Sequence, residues 1–306
     1  MAAIVLVHGI AQEQYGADVL EAQWLPALAS GVREAGHADV ADRLWRAGAP
    51  GALEARMAYY GSAFLDPEAQ GSGAAEVART DLAEELATAW LAAAAECAAH
   101  PQDRAQARRY LDNAALGDEG AQGAGRLLRP AAQALTRLKW FAPFGFGLAA
   151  RFVNRALGQV TRYLEEPDVR EHALGRVLDL IGPETRVVIG HSLGSVVAYE
   201  AMHRSAHPAT LITLGSPLAL QSVIYPRLRP QPPRVPAAVT RWENLADRDD
   251  IVASHLDLAP YFPPTDGAAV TPITHAGLDN GAGAHDATHY LAKRSVGRIV
   301  AESFIA

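Results

Sequence analysis

The spacing of apolar residues divides the chain into three stretches. AAIVLV (2–7) is an unbroken apolar run, rich in β-branched residues and ended by His8-Gly9. That pattern predicts a strand buried on both faces. Over 18–35 the apolar positions Leu20, Trp24, Leu28 and Val32 recur every fourth residue, so a helix is expected, with Asp18 as N-cap and Gly36 just past its end. ARMAYYG (55–61) reads as a second strand.

Between 62 and 165 the pattern becomes alanine-rich and helical in period. DLAEELATAWLAAAAECAA (81–99) predicts one long helix. Two more are expected over 126–147 and 148–164, separated around Pro143–Gly147. From Ala121 to Leu164 the chain has seven Arg or Lys and no Asp or Glu.

A strand–helix rhythm then follows. Strands are expected at 186–190, 210–215, 239–246 and, more weakly, 269–274. Helices are expected at 169–182, 195–204 and 289–305, and the proline-rich 226–236 reads as a surface loop. Strands alternating with helices predict an α/β fold with a parallel sheet covered on both faces.

Composition narrows the classes. The 306 residues are 49% hydrophobic and 20% charged, enough apolar content for a sizeable core. The net charge of −7 argues against a general nucleic-acid binder. Cys97 is the single cysteine, so no intrachain disulfide forms and the residue reads as a small packed side chain. The opening MAAIVLVHG reads as a strand rather than a secretory leader, and the apolar run at 140–150 is too short to span a bilayer. A cytoplasmic protein is expected.

One motif carries chemistry. GHSLG (190–194) is a G-x-S-x-G between a predicted strand and a predicted helix. A serine on such a sharp turn stands clear of the sheet, and glycines two residues to either side let strand and helix pass closely. The helix start also directs backbone N–H groups and a positive dipole end at the site.

VLVHG (5–9), RVVIGHSLGSVVAYE (186–200) and TLGSPL (213–218) together resemble the α/β-hydrolase superfamily, lipase/esterase branch. The resemblance covers 2–12 and about 168–304, and 62–165 carries no matching motif. It implies a mostly parallel sheet flanked by helices, a hydrolase core at 1–61 and 166–306, and a helical cap insertion at 62–165. It also implies Ser192 as nucleophile and the N–H groups of Leu193 and Ile10 as oxyanion hole, with the acid and then the histidine following in the chain. His8 reads as structural.

For the acid, WENLADRDDIVA (242–253) offers Asp247, Asp249 and Asp250. The Asp-Ile-Val-Ala register favours Asp250, and Asp247 is expected to organise the turn. For the base, His255, His275, His285 and His289 follow. His255 is too close to the acid along the chain, and His275 is expected directly after the last strand, where it is a possible base. His285, on a loop and five residues before Tyr290, matches the His-(x)4-Tyr-Leu arrangement of related hydrolases. Asp286 is expected to cap the following helix, leaving His289 in its first turn.

The expected activity is therefore cleavage of carboxylic esters of apolar acyl groups through Ser192, His285 and Asp250. Thioester or amide cleavage on the same fold is the alternative, and a lipid- or partner-binding protein with a hydrolase fold is a third. No metal or nucleotide cofactor is implied: there is no H-E-x-x-H, no cysteine pair and no Gly-rich phosphate loop. The expected partner is a small-molecule or lipid ester. The Arg-rich 121–164, with Trp140, Phe141, Phe144, Phe146 and Phe152, reads either as a cap packed on the body or as a surface for peripheral contact with anionic membrane.

Overall fold

The computed structural model of the protein describes residues 1–45, 51–65, 81–116, 128–138, 146–253, 256–265, 267 and 269–305. Among them six strands form one sheet: β1 (Ile4–Val7), β2 (Ala55–Ala58), β3 (Val187–His191), β4 (Ala209–Leu214), β5 (Val239–Asp247) and β6 (Ile273–Leu278). The order is β2-β1-β3-β4-β5-β6, and every neighbouring pair is parallel. β1, β3 and β4 are buried at every residue, which is why they read as continuous apolar runs rather than alternating ones.

The described helices are α1 (Ala17–Glu34), α2 (Ala38–Trp45), α3 (Asp81–Cys97), α4 (Pro101–Leu116), α5 (Leu128–Thr136), α6 (Phe146–Glu165), α7 (Pro167–Leu178), α8 (Leu193–Arg204), α9 (Ala287–Leu291) and α10 (Arg294–Ile305). The pleat sorts the strand side chains between two layers. Ile4, Leu6, Val187, Ile189, Ile212 and Leu214 pack with α1, α2, α9 and α10. Val5, Val7, Val188 and Leu211 pack with α3, α5, α6, α7 and α8. The described helices of 62–165 thus share one apolar cluster with α7 and α8 instead of building a core of their own.

β1 is the pivot. The chain leaves it to one side for β2 and returns on its other side as β3. At such a reversal the loops leaving adjacent strands diverge, and a crevice opens beyond their C-terminal ends.

Several local expectations shift. Asp18 is not the N-cap of α1. Gly16 is, and Asp18 sits in the first turn, where its carboxylate faces the positive helix end. Gly36 does take the left-handed conformation past that helix, at φ +92°. The last strand lies at 273–278 rather than 269–274. It is a half-exposed edge strand, so no apolar run marked it. The expected final helix breaks at Ala292–Lys293 into α9 and α10. There α1 passes so close that a Cβ on Gly31 would stand 2.5 Å from the Leu291 carbonyl oxygen. α2 and α4 had no counterpart in the sequence reading. Trp140, Phe141, Phe144 and His255 lie outside the described residues, as does the side chain of Phe146. No described helix is long and apolar enough to cross a membrane.

Candidate active site

Ser192 is the single residue between the end of β3 and the start of α8. Its backbone is at φ 55°, ψ −129°, a region that L-residues rarely adopt and that persists only when the surroundings impose it. They do so here. The Ser192 N–H donates to the Leu214 carbonyl at 3.0 Å, and the Ser192 carbonyl accepts from the Ser195 hydroxyl at 2.6 Å. The spacing of the motif has a steric cause: a Cβ on Gly194 would run into the carbonyl oxygens of Val7 and His8, and one on Gly190 would stand 2.5 Å from the Gly194 carbonyl oxygen. β1 and the first turn of α8 are therefore in backbone contact.

The loop after β1 lies against this turn. A Cβ on Gly9 would stand 2.7 Å from the Ser192 Cβ. Both loops leave the sheet at its switch point, where ligand crevices form in open α/β sheets. Leu193 begins α8, so its N–H is one of the donors that lack an intrahelical acceptor. Ile10 lines the adjoining cavity, which has a volume of about 480 Å³ and is also walled by Gly9, Trp24, Phe152, His191 and His285.

Asp250 and His285, 35 residues apart, meet at this point: His285 Nδ1 is 2.7 Å from Asp250 Oδ2. Asp250 is fully buried. Its Oδ2 also accepts from the Tyr290 hydroxyl at 2.9 Å, and its Oδ1 from the Val252 N–H at 3.0 Å. A buried carboxylate needs such compensation. Burial, and then the charge of Asp250, holds the Tyr290 phenol well above its ordinary range, so it stays protonated and donates. The same hydroxyl accepts from the Asp247 N–H at 2.8 Å.

The competing acids and histidines are occupied elsewhere. Asp247 accepts from the N–H of Asp249 at 2.8 Å and from that of Asn280, so it organises the turn. Asp249 is partly exposed beside Arg248. His275 lies within β6, not after it, and its Nε2 is 2.6 Å from Glu243 Oε2. His289 Nδ1 is bonded to the Asn280 carbonyl at 3.1 Å. Asp286 caps α9, accepting from the Thr288 N–H at 2.8 Å.

Two further histidines frame the site. His191 Nε2 is 3.0 Å from the His285 carbonyl oxygen. A carbonyl only accepts, so this nitrogen carries hydrogen and ties the loop bearing His285 to the end of β3. Burial, and then the neighbouring His285, pushes the His191 imidazole down to about 3. His8 has the opposite tautomer: Nε2 accepts from the Tyr60 N–H at 3.2 Å, and Nδ1–H donates to the Gly9 carbonyl at 2.8 Å. Burial lowers it to about 4. Burial, and then Asp250, raises the Cys97 thiol to about 11, so it is no thiolate at neutral pH. Among the described residues no cluster of His, Cys, Asp or Glu is arranged to hold a metal ion.

The buried histidines predict acid sensitivity. With His8 at about 4 and His191 at about 3 against 6.5 when unfolded, the unfolded chain binds protons first as pH falls. Stability present above pH 6.5 is then lost progressively, down to about pH 4 for His8 and about pH 3 for His191. For His8 alone the loss is on the order of 3 kcal/mol. Denaturant melts from pH 7 to 4.5 check this. The variant His8→Gln, whatever its baseline, is expected to flatten the slope by about one proton, and an unchanged slope refutes the assignment.

Two contacts go beyond the expectations from sequence: the bond of Tyr290 to Asp250 and that of His191 to the His285 carbonyl. The His-(x)4-Tyr spacing and the second position of GHSLG were the signals available. Compared with protein-family models, with curated proteins and with solved structures, the chain matches none.

Proposed function

We propose that the protein is a serine hydrolase of the α/β-hydrolase type, cleaving carboxylic esters of apolar acyl groups. The observation that carries this reading is the buried Asp250–His285 hydrogen bond, held beside a serine at positive φ on the sheet's switch point. Asp250 fixes the His285 tautomer by accepting from Nδ1–H, which leaves Nε2 as the basic nitrogen. Nε2 takes the Ser192 proton as Oγ attacks the ester carbonyl. The N–H groups of Ile10 and Leu193 hold the resulting oxyanion. His285 then protonates the leaving alcohol, and water, activated by the same nitrogen, cleaves the acyl-enzyme.

An apolar acyl group suits the Ile10, Trp24 and Phe152 part of the cavity wall. Phe152, from the stretch read as a cap, lines this cavity, which supports that role for α6.

The test is a panel of p-nitrophenyl esters of increasing chain length, run beside labelling with a fluorophosphonate probe. Turnover and stoichiometric labelling are expected. A chain that neither labels nor turns over any ester is not a serine hydrolase.

Tyr290 is a positioning residue in this reading. Tyr290→Phe removes one hydrogen bond to a buried carboxylate, worth about 1.5–3 kcal/mol. It is expected to lower kcat about tenfold, since each 1.36 kcal/mol on the barrier is tenfold in rate, and to leave KM nearly unchanged. An unaltered kcat removes Tyr290 from the mechanism.

A further inference from the structure

The turn that follows Gly9 holds a second strained residue. Ala11 is at φ 58°, where a Cβ is unfavourable. Its N–H donates to Gln159 Oε1 at 2.7 Å, across 148 residues of chain. The other end of the Gln159 amide, Nε2, donates to Glu13 Oε2 at 2.7 Å. Glu13 Oε1 lies 3.1 Å from Arg155 Nε, and the Glu13 carbonyl accepts from the Tyr59 hydroxyl at 3.0 Å. Glu13 and Gln159 are both buried, at 6% exposure.

Chemistry settles which way the Gln159 amide points. Glu13 pairs with the Arg155 guanidinium as a carboxylate, which only accepts, so it must meet the NH₂ end. That leaves Oε1 toward Ala11, where it accepts the one N–H presented there. A flipped amide would set oxygen against oxygen and donor against donor. Glu13 therefore acts as the key that orients Gln159, and Gln159 closes the turn on which Ile10 sits.

Gln159 belongs to α6, and the same helix is fixed to the nucleophile helix. The Tyr163 hydroxyl donates to Glu200 Oε2 of α8 at 2.7 Å, and Glu200 also pairs with Arg170 at 3.2 Å, with both charged side chains buried. Positions 152, 155, 159 and 163 recur at three or four residues, so one face of α6 carries all of these contacts. α6 thus reaches the turn with Ile10 through Gln159, and α8 through Glu200, seven residues past Leu193.

We infer that Gln159, oriented by Glu13, is a positioning residue that sets the Ile10 N–H against the Ser192 turn. The inference rests on the serine hydrolase reading of this site. Its signature is loss of transition-state binding without loss of substrate binding.

The experiment compares wild type with Gln159→Leu and Glu13→Gln. It measures kcat and KM on a p-nitrophenyl ester, inhibition by an aryl trifluoromethyl ketone, and the melting temperature. The ketone adds the serine oxygen to its carbonyl carbon, giving a tetrahedral oxyanion that reads the donor pair directly. Gln159→Leu is expected to lower kcat about 10- to 100-fold with KM within about twofold, because a displaced donor forfeits part of the 10²–10³ that losing one costs. Ketone affinity is expected to fall by the same factor. Glu13→Gln, which keeps the side chain's size and removes the key, is expected to fall between the two. It carries the test if Gln159→Leu does not fold. Unchanged kcat and ketone affinity in the folded variant overturn the inference, as does a loss confined to KM. If wild type labels with the fluorophosphonate while the variants match it throughout, only this inference fails. An unreactive wild type overturns the hydrolase reading and this one together.

Discussion

Ser192→Ala is expected to lower kcat for a short-chain p-nitrophenyl ester by about 10⁵- to 10⁶-fold, the cost of removing the nucleophile from a unit that works only when complete. The hydroxyl is the one group on the Ser192 turn able to form a bond to the acyl carbon. The turn itself survives the change. Its strained φ is imposed by the Ser192 N–H bond to Leu214 and the Ser195 bond to the Ser192 carbonyl, and both involve backbone atoms that alanine keeps. Melting temperature is therefore expected to stay close to wild type. Fluorophosphonate labelling, followed by intact mass, checks the chemistry independently of any substrate. Labelling of Ser192→Ala at the wild-type rate would move the nucleophile elsewhere and end the proposal.

The second large effect separates two histidines four residues apart. His285→Ala is expected to cost kcat as much as Ser192→Ala, because without a base the serine hydroxyl is a weak nucleophile. His289→Ala is expected to change kcat by less than about fivefold, since its ring bonds the Asn280 carbonyl rather than Asp250. Asp250→Asn belongs with His285: the amide stops fixing the Nδ1–H tautomer, and a loss of about 10⁴ is expected. A steady-state comparison of the three variants on one ester decides the matter. Loss at His289 alone reverses the assignment, and equal loss at both histidines means that neither is the unique base.

The Asp250–His285–Tyr290 cluster shows where sequence reading stops. WENLADRDDIVA presents three aspartates within four residues, and in sequence only the Asp-Ile-Val-Ala register sets Asp250 apart. They differ in the folded chain because the backbone turns. Asp247 is buried but spent on the N–H groups of Asp249 and Asn280, Asp249 is partly exposed, and buried Asp250 reaches His285. His275 fell out for a similar reason: the last strand starts four residues later than its weak pattern suggested, so the histidine sits inside it against Glu243.

What the sequence by itself determined is what short-range physics writes into neighbouring residues. Unbroken apolar runs marked β1, β3 and β4 as buried on both faces, the four-residue spacing marked α1, and Gly36 marked where that helix stops. GHSLG marked the sharp turn, because the close approach of β1 to α8 forbids a Cβ at Gly194. Everything that joins distant segments was decided by the tertiary structure. The bond of Asp250 to Tyr290, the tether from His191 to the His285 carbonyl and the reach of Gln159 to Ala11 across 148 residues all belong to this class. A hydrogen bond is directional and short, so which of several equivalent side chains makes it depends on where the sheet sets the two backbones, and no local pattern records that.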